Sequence, residues 1–334
     1  MSLKPRSKSA TTKGARELLR RRAIIFQTIL QALVPVVFVV GLGWLVGRLG
    51  ILDPQRIRSI TTFIVTVALP AALFVGVFNF SPGQLENGRY LLTLAVALMG
   101  TWAVGFGLAR FSFRSATASA GMLALNASFP DLAYFGLPVL AAVIGAQGLL
   151  PVIVGNLVVS VLMVPITIVL LGAADGTKHE SLLENLKSTV TKPLVWAPVL
   201  GAVLVLFGVK LPPLAEASVR LIGATAGGTA LFALGVMLSG LTPRLDKMAI
   251  SVVLLKNIVQ PAIGLACALA FHFSGVLSKG IVIAAACPCA TASAMLASTY
   301  RIDEQPTTSA VVLSNIIGVL SMAMWIYVVE KIWA

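Results

Sequence analysis

In this chain of 334 residues 58% are hydrophobic and only 11% charged, and the mean hydropathy is +0.96; soluble domains carry roughly 25% charged residues. No water-exposed surface can be built from that composition, whereas about 20 apolar residues per crossing leave room for ten passes through a bilayer and none for a soluble catalytic domain. The formal charge of +13 does not point to nucleic acid: eight basic residues crowd the first 22 positions, most others fall in loops that meet lipid headgroups, and no aromatic-interleaved basic stripe occurs.

In chain order, residues 1–23 form a basic tail. The run from Ile24 to Val46 behind it is long enough to span and has no small-residue cleavage site, so it does not read as a removable signal. Apolar runs bounded by charge, Gly and Pro predict crossings near 25–47, 58–79, 90–110, 117–145 and 149–171, then near 191–209, 214–241, 247–272, 276–299 and 307–332. Between the two sets, the polar connection 173–190 carries Asp175, Lys178, His179, Glu180, Glu184 and Lys187, and separates a first five-helix repeat (24–172) from a second (191–334). Five is odd, so a second copy of the same fold enters the membrane upside down.

The two halves share features. Ala68-Leu69-Pro70-Ala71-Ala72-Leu73-Phe74-Val75-Gly76 closes the second span, and Gly228-Thr229-Ala230-Leu231-Phe232-Ala233-Leu234-Gly235 holds the matching place in the second half. The fourth span carries Phe129-Pro130-Asp131 and Gly136-Leu137-Pro138, and the ninth carries Cys287-Pro288-Cys289. Segments interrupted by Gly and Pro at matching positions of inverted halves mark a central site near the bilayer midplane. The expected class is an all-α membrane protein of ten transmembrane helices, two inverted five-helix repeats with crossed broken helices four and nine. Loop charges conflict over orientation: eleven Lys and Arg against five put the central connection in the cytoplasm and both termini outside, while the eight of the tail reverse the balance.

A proline inside a span deletes a backbone donor and frees carbonyls that lipid cannot satisfy, so such breaks face protein or water. Pro70, Pro151, Pro165 and Pro198 read as plain kinks. Pro130 and Pro288, matched across the halves, read as a crossover whose free amides and helix ends can bind an anion. Asp131 is the one acid placed deep in a span, where it must face a cavity, be paired or hold a proton; it serves as a coupling group, as the N-cap of a half-helix starting near Leu132, or as both. Asn126, Asn156, Thr291 and Ser293 are candidate substrate contacts. Asn257, Gln260 and Asn315 bridge helices or meet substrate. Lys256 snorkels to the interface, or pairs with an anionic substrate or Asp131.

Two thiolates flanking a transmembrane proline, Cys287 and Cys289, suit a soft Cu(I) or Zn(II) ion. Copper-pumping ATPases use that tripeptide, but with large cytoplasmic domains and an Asp-Lys-Thr-Gly sequence for which this chain has no counterpart, so the reading is of no metal site and no cofactor. The cysteines, Cys267 included, lie in apolar segments and imply no disulfide framework. Without a P-loop, an HExxH sequence or a nucleophile elbow, the chain does not read as an enzyme.

Ser128-Phe129-Pro130-Asp131-Leu132-Ala133-Tyr134-Phe135-Gly136-Leu137-Pro138 resembles the fourth span of the auxin efflux carrier family, with its Phe, small or polar pair, aromatic and Gly-Leu-Pro. Lys192-Pro193, Leu211-Pro212-Pro213, Leu231-Phe232-Ala233-Leu234-Gly235, Leu255-Lys256-Asn257-Ile258-Val259-Gln260-Pro261 and Tyr300-Arg301-Ile302-Asp303 are similar to its later segments, so the resemblance runs over nearly the whole chain after the tail. It departs in Asp131, where the family often has Asn, in the cysteines flanking Pro288, and in the long basic tail. The resemblance implies a scaffold of spans one, two, six and seven, elevator-like movement of the rest, and organic anion substrates: malonate, malate and similar carboxylates in bacterial members, auxin in plants. It also implies a homodimer through the scaffold. Expected partners are a small organic anion, the bilayer of a bacterial inner or plasma membrane, and protons or Na+ as coupling ions. Other readings are a sodium-coupled carrier of the bile-acid type and a membrane sensor without flux.

Overall fold

The computed structural model describes residues 8–53, 57–78, 88–175, 191 and 193–333, so most of the polar connection 173–190 lies outside the described residues. The regular structure among them is helical: α1 (Lys8–Arg48), α2 (58–77), α3 (Gly88–Ser112), α4 (Thr117–Ser128), α5 (132–144), α6 (149–175), α7 (Pro193–Leu206), α8 (Pro213–Ser239), α9 (Lys247–Ala270), α10 (Gly275–Ala286), α11 (Thr291–Tyr300) and α12 (Glu304–Ile332). Seven stretches among the described residues are long and apolar enough to cross a membrane, and α7 and α10 are shorter apolar helices. The predicted apolar runs all fall on helix, with the fourth divided into α4 and α5 and the ninth into α10 and α11. One 40-residue stretch, Leu132–Leu171, is turned at Gly145, whose φ of +63° suits a residue without Cβ, so α5 and α6 are separate helices.

Four of the helix prolines are absorbed by a recurrent device. Four π-helical turns, Ile64–Ala68, Leu132–Gly136, Val159–Met163 and Leu255–Val259, each end two residues before a proline: Pro70, Pro138, Pro165 and Pro261. In each, the residue just ahead of the proline donates to the carbonyl five back, as Leu69 does to Ile64 and Gln260 to Leu255. The widened turn moves the backbone off the proline ring, which would otherwise strike the carbonyl four residues back. Pro70 and Pro165, read as plain kinks, thus sit behind π-bulges.

The helices sort into two packing groups. α1 lies along α8, and α2 packs on α7 and α8. α3 to α6 and α9 to α12 pack around the broken segments, and α1 and α8 touch this second group through α5 and α12. The α1/α8 seam is made by small residues: a Cβ on Gly43 would strike the carbonyl of Phe232, and one on Gly235 the carbonyl of Val40. Two backbones that close gain dispersion contacts where lipid gives no hydrophobic drive.

Candidate functional site

The two broken segments meet as backbone. Phe129 and Cys287 precede prolines and are pushed to extended conformations, φ −81° and ψ 100° for Phe129 and φ −56° and ψ 141° for Cys287. Asp131, at φ −77° and ψ 72°, turns the chain back so that the amide of Leu132 donates to the carbonyl of Pro130 at 2.9 Å, an inverse γ-turn. Between these turns Pro130 pairs antiparallel with Cys289. The amide of Asp131 donates to the Pro288 carbonyl at 2.9 Å and that of Ala290 to the Phe129 carbonyl at 3.0 Å. Each proline break supplies the partners that the other lacks, as an apolar environment demands.

Neighbouring helices satisfy the remaining groups. Ser314 on α12 accepts the Cys289 amide at 2.9 Å, and Asn315 donates to the Cys289 carbonyl at 3.0 Å. Gln260 on α9 donates to the carbonyl of Ser128, the last residue of α4, at 2.7 Å. Lys256, one turn earlier, donates to the carbonyl of Ala285 at the end of α10 at 2.9 Å, and to the side-chain oxygen of Gln260. Gly318 leaves room for Pro288, whose Cβ would stand 3.0 Å from an added Cβ.

The structure brings most of the predicted residues together. Pro130, Asp131 and Pro288 form the crossing, and Thr291 opens α11 directly behind it, with all four buried. Ser293 donates to the side-chain oxygen of Asn126 at 2.8 Å, and Asn126 donates to the Thr307 carbonyl at 3.2 Å, so these two residues from different halves hold one another. Asp131 caps α5, accepting from the Tyr134 amide at 3.1 Å through Oδ1; its Oδ2 is buried without a hydrogen-bond partner among the described residues. Asn156 stands apart, half-buried on α6, with an Nδ2 that lacks an acceptor among the described residues.

Lys256 does not snorkel. It is 0% exposed, because the end of α10 offers its ammonium a carbonyl and Gln260 a second acceptor. The thiols of Cys287 and Cys289 donate to different carbonyls, of Ile283 at 3.4 Å and Asn126 at 3.1 Å. Asn257 bridges to Ser314, accepting its hydroxyl at 2.7 Å. Sequence reasoning missed Ser314, a common small residue in a long apolar helix, whose side chain orders the second break.

An apolar cavity of about 540 Å³ lies between the two packing groups, lined by Val40, Trp44, Leu234 and Leu238 on one side and by Phe135, Val312 and Asn315 on the other. Phe135 lies on α5, which begins at the crossing, and Asn315 on α12 donates to the Cys289 carbonyl within it, so the seam between the groups opens beside the crossing.

Residues 28–326 match the model of a family described as membrane transport protein. The chain is 30% identical over 303 residues to an uncharacterized transporter, YfdV, of Escherichia coli K12, a match that covers 89% of this chain and 96% of that protein. An uncharacterized transporter of Methanothermobacter thermautotrophicus is 22% identical, over 90% of this chain and 99% of that one. A protein of Rhizobium meliloti named "Putative malonate transporter" is 21% identical, over 87% of this chain and 92% of its own.

Proposed function

The chain belongs to the membrane transport protein family, the auxin efflux carriers that its sequence resembles, and is a multi-pass membrane transporter; from that premise we propose that it is a secondary carrier of small organic anions. The observation that supports this most is the backbone pairing of Pro130 with Cys289, which sets two interrupted helices against each other inside the bundle. In this reading the repeats 24–172 and 191–334 cross the membrane five times each in opposite senses, joined by 173–190. The group α1, α2, α7 and α8 is the scaffold, and the remaining helices carry the crossing past it as an elevator. The seam beside Phe135 and Asn315 is where the two bodies slide.

The amide ends of α5 and α11 both begin at the crossing. The end of α5 is capped by the Asp131 side chain, while that of α11 has no side-chain cap. A substrate carboxylate is therefore offered the amides around Thr291, with the positive end of the α11 dipole behind them. Asn126 and Ser293 hold the floor of this site by their mutual hydrogen bond, and Asn156 contributes from α6. Asp131 carries the coupling proton. Malonate is the first substrate to try, since one relative bears its name; malate and indole acetate follow. Proteoliposomes holding the purified chain are expected to accumulate labelled malonate or another carboxylate, faster with an inward proton gradient. Absence of flux for every carboxylate, under proton and sodium gradients alike, would overturn the proposal.

A further inference from the structure

Lys256 is a fully buried ammonium with no carboxylate within salt-bridge distance among the described residues, an arrangement that costs several kcal/mol unless something else balances the charge. What its hydrogen bonds reach, directly or through Gln260, are helix C-termini, while the Asp131 carboxylate acts on it only through space. α4 and α10 are both 12 residues long and both end at the crossing, at Ser128 and Ala286. Each such end carries unpaired carbonyls and roughly half a negative charge. Two of them converging amount to about one negative charge, which one ammonium neutralises.

The hydrogen bonds follow that balance. The ammonium reaches the α10 end directly, at the Ala285 carbonyl, 2.9 Å away. It reaches the α4 end through Gln260, whose oxygen accepts from Lys256 and whose Nε2 donates to the Ser128 carbonyl at 2.7 Å. An amide polarised at its oxygen by a cation is a stronger donor at its nitrogen, so one charge serves both ends. The π-turn Leu255–Val259 sets this pair within the α9 helix that packs on α10 and contacts α4.

We propose that Lys256 is a resident cation of the crossover: it occupies, as part of the chain, the place at the paired helix C-termini that an inorganic cation such as Na+ would otherwise fill, so that transport needs no sodium. It is a positioning residue, acting on the substrate through the half-helices it holds. The inference deepens the carrier reading and rests on it for its consequence on flux, but its effect on the folded protein does not depend on any substrate.

Two measurements on the purified full-length chain test it. In detergent, Lys256→Ala lowers the thermal unfolding midpoint, and ethylammonium, which can enter the space left by the side chain, restores at least half of that loss while leaving the wild-type midpoint unchanged. In proteoliposomes, wild-type carboxylate uptake is equal in sodium and choline buffers, and Lys256→Ala loses about tenfold in rate, a difference of about 1.4 kcal/mol, which ethylammonium or Na+ recovers. Lys256→Gln keeps a donor for Ala285 without the charge and covers the case in which the alanine variant does not fold. It is expected to lose flux and midpoint as well. Wild-type behaviour of Lys256→Gln, lack of any ethylammonium effect on a folded Lys256→Ala protein, or a sodium requirement in the wild type would each overturn the inference. If no carboxylate moves at all, the carrier reading fails, while the detergent measurement still decides the role of Lys256.

Discussion

Trp325 on α12 donates its indole N–H to the backbone carbonyl of Asn257 on α9 at 2.9 Å. That carbonyl lies four residues before Pro261, which has no N–H to offer it. The tryptophan therefore repairs a helix that the proline opened, at the turn that also carries Lys256 and Gln260. Replacement by Phe keeps the apolar ring and removes the donor, leaving a buried carbonyl short of a partner at a cost of about 1–3 kcal/mol. Trp325→Phe should lower the thermal unfolding midpoint in detergent, whereas Trp44→Phe, at a residue 43% exposed, should leave it nearly unchanged. Equal shifts for the two variants would show that the indole bond contributes nothing.

The α1/α8 seam gives a steric prediction. Gly43 and Gly235 lie where any side chain meets backbone of the facing helix, which cannot yield as a rotamer can. Gly43→Val or Gly235→Val should reduce the yield of monodisperse protein several-fold, by separating the group that the carrier reading assigns to the scaffold. Gly41, two residues away on the same helix, has no atom within 4 Å of an added Cβ, so Gly41→Ala should purify like the wild type. Size-exclusion chromatography and thermal unfolding distinguish the outcomes.

Breaks at Pro130 and Pro288 are legible because a proline in an apolar run has a fixed steric consequence, and their pairing follows from the matched positions. Bridging by Asn257, Gln260 and Asn315 is legible because an amide in lipid must find a partner. The position of Lys256 is not, because its acceptors are a backbone carbonyl on another helix, Ala285, and a side chain one turn away on its own. Backbone acceptors have no sequence signature, and a lysine that caps a helix end reads the same as one that reaches for the interface. Ser314 and Trp325 escape notice for a similar reason, since both act on backbone groups of distant segments.

Asn126 and Ser293 come from opposite halves and share a 2.8 Å hydrogen bond. If they work as one unit, their truncations are not additive. Asn126→Ala leaves the Ser293 hydroxyl its bond to the Ala290 carbonyl at 2.8 Å, but removes the tie between α4 and α11. A double-mutant cycle on thermal stability is expected to return a coupling of about 0.5–3 kcal/mol, and uptake by either single variant should be close to that of the double variant. Additive losses would separate the two residues and leave Ser293 with its local bond to the Ala290 carbonyl alone.

Asp131 uses Oδ1 to accept the Tyr134 amide, whereas Oδ2 has no partner among the described residues. Asn at this position can still cap α5, since its side-chain oxygen accepts as well, so Asp131→Asn should fold with an unchanged midpoint. What it cannot do is bind and release a proton. In the carrier reading the ionised carboxylate, held at the α5 end, repels a substrate anion at the neighbouring α11 end, and protonation of Asp131 removes that repulsion. Wild-type uptake should accordingly rise as the external pH falls, and Asp131→Asn should transport at a rate that a pH gradient no longer changes. The comparison is made in proteoliposomes with the gradient imposed and then collapsed by an ionophore. A gradient response that survives in Asp131→Asn would move the coupling proton to another group, and the carboxylate would then be the half-helix cap and nothing more.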